Sequence, residues 1–135
     1  MKKIYICSPV RGDENNPAHL KQNLARAAVY AQFVFHKGYF PICSQVYLDR
    51  VTGWSEVDHP EKRDKLLELG IEMLLMSDEL WVFGREPGRE SSGMKAEIKK
   101  ANELRMPVVY RAEYLPDRVK EEKERLWFFE RNKKV

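Results

Sequence analysis

The stretch Asp78-Glu79-Leu80-Trp81-Val82-Phe83-Gly84 (DELWVFG, residues 78–84) decides how this chain is read. Leu80 to Phe83 are consecutive apolar residues, and alternating strand side chains cannot turn all of them to one face. Such a run belongs to a strand covered on both sides, as in a parallel sheet. Parallel strands need long crossovers, usually helical, and the sequence supplies one on each side. Upstream, Leu66, Leu67, Ile71, Leu74 and Leu75 recur at helical spacing between Glu61 and Ser77. Downstream, a polar loop leads into a helix from about Ser92 to Arg105, and MPVVYR (106–111) supplies a further strand.

The same alternation holds toward the N-terminus. KKIYICSP (2–9) reads as a first strand, VRGDENN (10–16) as a polar loop, and Asn16-Pro17 as a helix start. Leu20, Leu24, Ala27, Ala28, Ala31, Val34 and Phe35 carry that helix to Lys37-Gly38. YFPICSQVYL (39–48) reads as a second strand whose Pro41 suits an edge position. DRVTGWSEVDHPEK (49–62) then reads as a polar loop carrying Trp54, either a lid or a plain connection. A last helix is expected from Pro116 to about Asn132, with Trp127, Phe128 and Phe129 packed on their own domain or on another subunit of a homodimer or higher homo-oligomer. The expected architecture is α/β: a three-layer α/β/α sandwich with a mainly parallel sheet of four to five strands, Rossmann-like or flavodoxin-like. It is read as a single domain over residues 1–135, with 112–135 as the C-terminal helix.

Composition excludes several classes. At 135 residues, with 43% hydrophobic and 33% charged, the chain is an ordinary globular domain. Its net charge of +3 comes from 24 basic and 21 acidic residues interspersed along the chain, which argues against nucleic-acid polymers and membranes as partners. Cys7 and Cys43 sit in apolar runs without a signal peptide, which fits a cytoplasmic protein. Neither they nor His19, His36 and His59 have metal-ligand spacing, so no metal and no cofactor are expected. Cys7 to Arg11 has three intervening residues, whereas a phosphatase loop needs five.

Ligands of open parallel sheets bind outside the carboxyl ends of the strands. That rule gathers CSPVRG (7–12), FGREPGRESSG (83–93) and the start of the following helix into one crevice. Arg11 there suits bidentate phosphate bonding and Gly12 close backbone approach, unless Arg11 merely pairs with Asp13 or Glu14. Ser91 or Ser92 caps the helix, leaving the other free for a ligand at the helix N-terminus. Within SSGMKAEIKKA (91–101), Met94, Ile98, Ala101 and Leu104 form an apolar stripe roughly 120° wide, and Glu97 alone among the charges falls inside it. A buried carboxylate needs a partner or a cleft. Desolvation raises its pKa while the helix N-terminus and nearby arginines lower it. Glu97 is therefore either a salt-bridge member or a nucleophile or base.

YICSPVRG on the first strand, SDELWVFG on the third and SSGMKAEIKKA opening the next helix together resemble the nucleoside 2-deoxyribosyltransferase-like superfamily, and within it small bacterial and phage domains of the DUF4406-like type. The likeness spans roughly Lys3 to Arg111. It implies that Glu97 attacks C1′ of the sugar and displaces the base, giving a glycosyl-enzyme that water or another base resolves. The branch that hydrolyses deoxynucleoside monophosphates has a similar first loop. That likeness places Tyr5 near the sugar or nucleophile, and Ser8, Arg11 and Gly12 on the 5′-phosphate with Ser91, Ser92 and Gly93. It also implies an acidic residue in the helix before the third strand, where Glu68 and Glu72 are nearest and Glu72 is the candidate acid or sugar contact. Asp78 reads as structural. The expected substrate is a small nucleotide or nucleoside. The alternative is a nucleotide-binding module, a sensor or sequestering protein, without chemistry.

Overall fold

Ile4, Tyr5, Ile6 and Cys7 are all fully buried, because strand β1 (Lys3–Cys7) lies in the middle of the sheet with helices against both faces. The structure, a computed structural model, describes residues 1–10, 17–54 and 59–111. Arg11 and Gly12, and the expected C-terminal helix with Trp127, Phe128 and Phe129, lie outside these residues. In chain order the described elements are β1, α1 (Pro17–His36), β2 (Phe40–Ile42), α2 (Ser44–Thr52), a 3₁₀ turn (Pro60–Lys62), α3 (Arg63–Leu75), β3 (Glu79–Val82), α4 (Ser92–Glu103) and β4 (Val108–Tyr110). The strands are all parallel, in the order β2-β1-β3-β4. Tyr5 pairs with Ile42 on one side and Leu80 on the other, and Val82 pairs with Tyr110.

Alternation in the strands divides the interior into two cores. Ile4, Ile6, Trp81 and Phe83 meet Tyr30, Phe33 and Val34 of α1, where the Tyr30 and Phe83 rings stack with centroids 4.6 Å apart. Tyr5, Cys7, Leu80 and Val82 face the opposite way, toward Leu74 of α3 and Met94 and Ala101 of α4. The result is the expected three-layer α/β sandwich with a parallel sheet. Pro41, lacking an N–H, sits on the edge strand as expected. Asp78 is structural, its carboxylate accepting from the Lys3 N–H at 2.7 Å.

Two expectations are corrected. The second strand does not run to Leu48: it stops at Ile42, and Ser44–Thr52 is a helix. Ser44 and Leu48, four apart, are its buried positions, and Gly53 closes it in the left-handed conformation (φ 68°), donating its N–H to the Asp49 carbonyl at 3.2 Å. The expected polar loop is thus partly helix. Leu104 does not join the apolar stripe of α4; it lies past the helix end and is 43% exposed. Among the described residues no helix is long and apolar enough to cross a membrane.

Candidate functional site

The chain leaves β1 toward one side to form β2, then crosses back over β1 to form β3. Between the carboxyl ends of β1 and β3 the sheet order reverses, and that is where an open parallel sheet leaves a crevice. A cavity of about 110 Å³ lies there, room for several water molecules at roughly 10–15 Å³ each. Its walls come from the segment just after β1 and from α1, α2, α3 and α4.

At its floor is Glu97, 7% exposed and facing the sheet between Met94 and Ala101. Helix α4 sets its direction. Ser91 is the N-cap, its hydroxyl accepting from the Met94 N–H at 3.4 Å, which aligns Met94, Glu97 and Ala101 inward. One partner of Glu97 is a neutral hydroxyl: the Tyr5 phenol donates to its Oε2. The Ser44 hydroxyl lies 2.6 Å from the same phenol oxygen. On α3, Gly70 opposes all three groups. A Cβ there would lie 3.4 Å from the Tyr5 hydroxyl, 3.6 Å from Glu97 Oε2 and 3.8 Å from Ser44 Oγ. One strand and three helices thus converge on one carboxylate.

Electrostatics around it favour neutral groups. Burial and the charge of Glu97 push the Tyr5 phenol well above the ordinary tyrosine range, with the Ser44 contact pulling the other way. It stays a donor at any physiological pH. The Cys7 thiol is also pushed well up, first by burial and then by Glu97, and burial raises Cys43 to about 11. Neither thiol is a nucleophile at neutral pH. Among the described residues no group of His, Cys, Asp and Glu is arranged to hold a metal.

Of the expected ligand contacts, Ser8, Ser91 and Gly93 line the cavity. Ser8 is buried at the end of β1, and Gln45 Nε2 donates to its carbonyl at 3.1 Å and its hydroxyl at 3.2 Å. Ser92 is exposed, and its hydroxyl accepts from Arg63 Nη2 at 2.6 Å. Arg11 and Gly12 lie outside the described residues. Glu72 is a correction: it is exposed and does not line the cavity. The reason is helical phase, since Leu66, Gly70 and Leu74 face inward and Glu72, two residues after Gly70, is turned about 200° away.

The cavity also holds residues that the strand-and-loop reading of 39–62 hid. Ser44, Gln45, Leu48 and Asp49 reach it from α2, and Arg63 and Gly70 from α3. Trp54, expected on a loop, lines it as well. The Lys62 ammonium sits 4.8 Å from the centroid of the Trp54 ring. Residues 55–58 of the expected lid lie outside the described residues. Among the described residues the lining thus carries two carboxylates, Glu97 and Asp49, one guanidinium, Arg63, and an apolar wall of Leu20, Leu24, Leu48, Leu66 and Trp54. The sequence signal for α2 was the Ser44/Leu48 spacing closed by Gly53.

A family model described as "Domain of unknown function (DUF7768)" matches residues 2–111. No curated protein matches the chain.

Proposed function

The chain belongs to that family of domains, and from the crevice that the matched residues enclose we propose that it cleaves or transfers the N-glycosidic bond of a (deoxy)nucleoside monophosphate or a related nucleotide. The observation that carries this reading is Glu97, a buried carboxylate at the floor of a cavity, held by a neutral hydroxyl. A fixed, desolvated carboxylate is a nucleophile, and its geometry is maintained by Tyr5. A Glu97 oxygen attacks C1′ of the sugar as the C1′–N bond breaks, and its electron pair goes to the base nitrogen, which takes up a proton. Water or a second base then attacks C1′ and releases the carboxylate, as in retaining glycosidases. The resemblance to the nucleoside 2-deoxyribosyltransferase-like superfamily supports this chemistry.

The rest of the lining fits the remaining parts of a nucleotide. The N-terminus of α4 with Ser91 and Gly93, joined by Arg63, suits the phosphate, as Arg11 and Gly12 do by the resemblance. The wall of leucines and Trp54 suits a flat base. Asp49 is the second carboxylate of the cavity and takes the place of the sugar or base contact that Glu72, facing solvent, does not fill.

The test is a panel of nucleosides, deoxynucleosides and their 5′-monophosphates, with free base followed by chromatography. Base release by wild-type protein and its loss in Glu97→Gln is the expected result; absence of base with every substrate, or full activity in Glu97→Gln, overturns the reading. A second reading, nucleotide binding without turnover, is favoured by Glu72 facing solvent, away from any sugar or base. It expects a monophosphate to raise the melting temperature and to be recovered intact.

A further inference from the structure

Tyr5 and Glu97 account for a donor and an acceptor, but the second hydroxyl of the cluster has no part in the reading above. Ser44 is 4% exposed, opens α2 and lies 2.6 Å from the Tyr5 oxygen. A phenol carries one proton. While Glu97 is ionised it is an acceptor only, so the Tyr5 proton points to Glu97. The short contact between the two hydroxyls can then be made in one direction only, with Ser44 donating to Tyr5.

We propose that Ser44 is a positioning residue that acts on Glu97 through Tyr5, as the first donor of a directed chain Ser44 → Tyr5 → Glu97. The reading of Glu97 as nucleophile gives the chain its purpose, and the proposal rests on that reading for its catalytic consequence. Donation to the phenol oxygen polarises its O–H and strengthens the bond it gives to the carboxylate, since linked hydrogen bonds reinforce one another. Ser44 therefore favours the ionised, attacking form of Glu97. The same chain steadies the carboxylate as it is released from C1′ in the second step. The first turn of α2 is anchored twice: Ser44 meets Tyr5 of β1, and Gln45, the next residue, donates to Ser8 just past the end of that strand.

Other groups bear on Glu97, and the test must separate them. Tyr5 and Cys7 come from β1, Cys43 precedes α2, and Asp49 and Arg63 line the same cavity. Ser44 alone among these is expected to work only through Tyr5. The measurement is a carboxylate titration by carbon NMR on protein labelled at glutamate, with the Glu97 resonance assigned from Glu97→Gln. Ser44→Ala is expected to raise the Glu97 midpoint by about half a pH unit. Ser44→Thr restores it, and Ser44→Ala has no further effect in a Tyr5→Phe background. An unchanged midpoint in Ser44→Ala, or a shift that persists in Tyr5→Phe, overturns the proposal. Should Ser44→Ala fail to fold, Ser44→Cys keeps the side chain with a weaker donor and is expected to give an intermediate shift; no shift overturns the proposal equally. Where base release is measurable, the acid limb of kcat/KM moves by the same amount. The titration needs no substrate, so the failure of the glycosidase reading and the failure of this one are seen separately.

Discussion

Gly70 shows how closely one residue ties stability to the site. Its missing side chain leaves the floor of the cavity open beside Glu97, yet an added methyl would meet only ordinary contacts of 3.4 to 3.8 Å. Alanine inside a helix is favoured over glycine by up to about 1 kcal/mol. Gly70→Ala is therefore expected to raise the melting temperature by about 3 °C and to weaken nucleotide binding about tenfold or more, read as loss of the ligand-induced thermal shift. A melting temperature that falls would show that the three oxygens around it cannot give way. Glu97 makes the complementary case. Glutamine keeps its shape and still accepts from Tyr5 while the buried charge is removed, and a buried charge is a cost to the fold. Glu97→Gln is expected to stay folded, within about 1 kcal/mol of the wild type by chemical denaturation, although base release is lost. The anomaly of Glu97 was visible in SSGMKAEIKKA because helical phase is a property of spacing alone. Its partner was not, since Tyr5 is 92 residues away in sequence and only the sheet register brings it close.

At the scale of elements, the segment 39–52 teaches most. Val46 and Leu48 alternate with polar neighbours as a strand would, and the short run YFPICSQVYL contains too few turns to show a helical period. What decides it is tertiary: α2 buries Ser44 and Leu48 against the site, and Gly53 stops it. The glycine is needed for its backbone, since a Cβ at Gly53 would meet nothing within 4 Å. Gly53→Ala is expected to cost about 1 kcal/mol from the left-handed conformation alone, and Gly53→Asn distinctly less, both measured by chemical denaturation. Equal losses would mean that contacts, not backbone, fix the cap. By contrast α1, α3 and α4 were legible because each is long enough, or well enough capped, for its period to declare itself. Glu72 was misplaced for the same reason that Gly70 was missed. Without a known orientation of α3, a carboxylate is the more conspicuous residue and a glycine the less.

For the whole molecule, the sheet was legible because DELWVFG and KIYIC are apolar on both faces, which only a covered parallel sheet permits. The crevice followed from topology. Its inner side chains did not, because they converge from one strand and three helices. That convergence makes the interior rich in groups held neutral by burial, and stability must then depend on pH in a definite direction. Cys43, at about 11, keeps its proton in the folded chain beyond the ordinary thiol value of 9, where the unfolded chain has already lost its own. Above pH 9 the folded state thus binds more protons, and stability falls as pH rises. Each such thiol contributes a slope of about 1.4 kcal/mol per pH unit, for Cys43 between pH 9 and about 11. Cys7 and Tyr5, raised in the same sense, extend the loss to higher pH. Denaturant titrations at pH 8 and 10.5 are expected to show this decline, and Cys43→Ala to flatten it by about one proton. A stability that rises with pH over that interval would contradict the burial of these groups.

The placement of Trp54 has a practical side. Its indole lies on the cavity wall with an ammonium near one face, while Trp81 is buried in the core on the opposite side of the sheet. If a base settles against Trp54 as proposed, its emission is expected to change, with Trp81 as a steady background against which the change is read. Loss of the signal in Trp54→Phe identifies its source. On the proposed reading the crevice carries its own optical gauge of occupancy, by which a ligand is titrated without label or turnover.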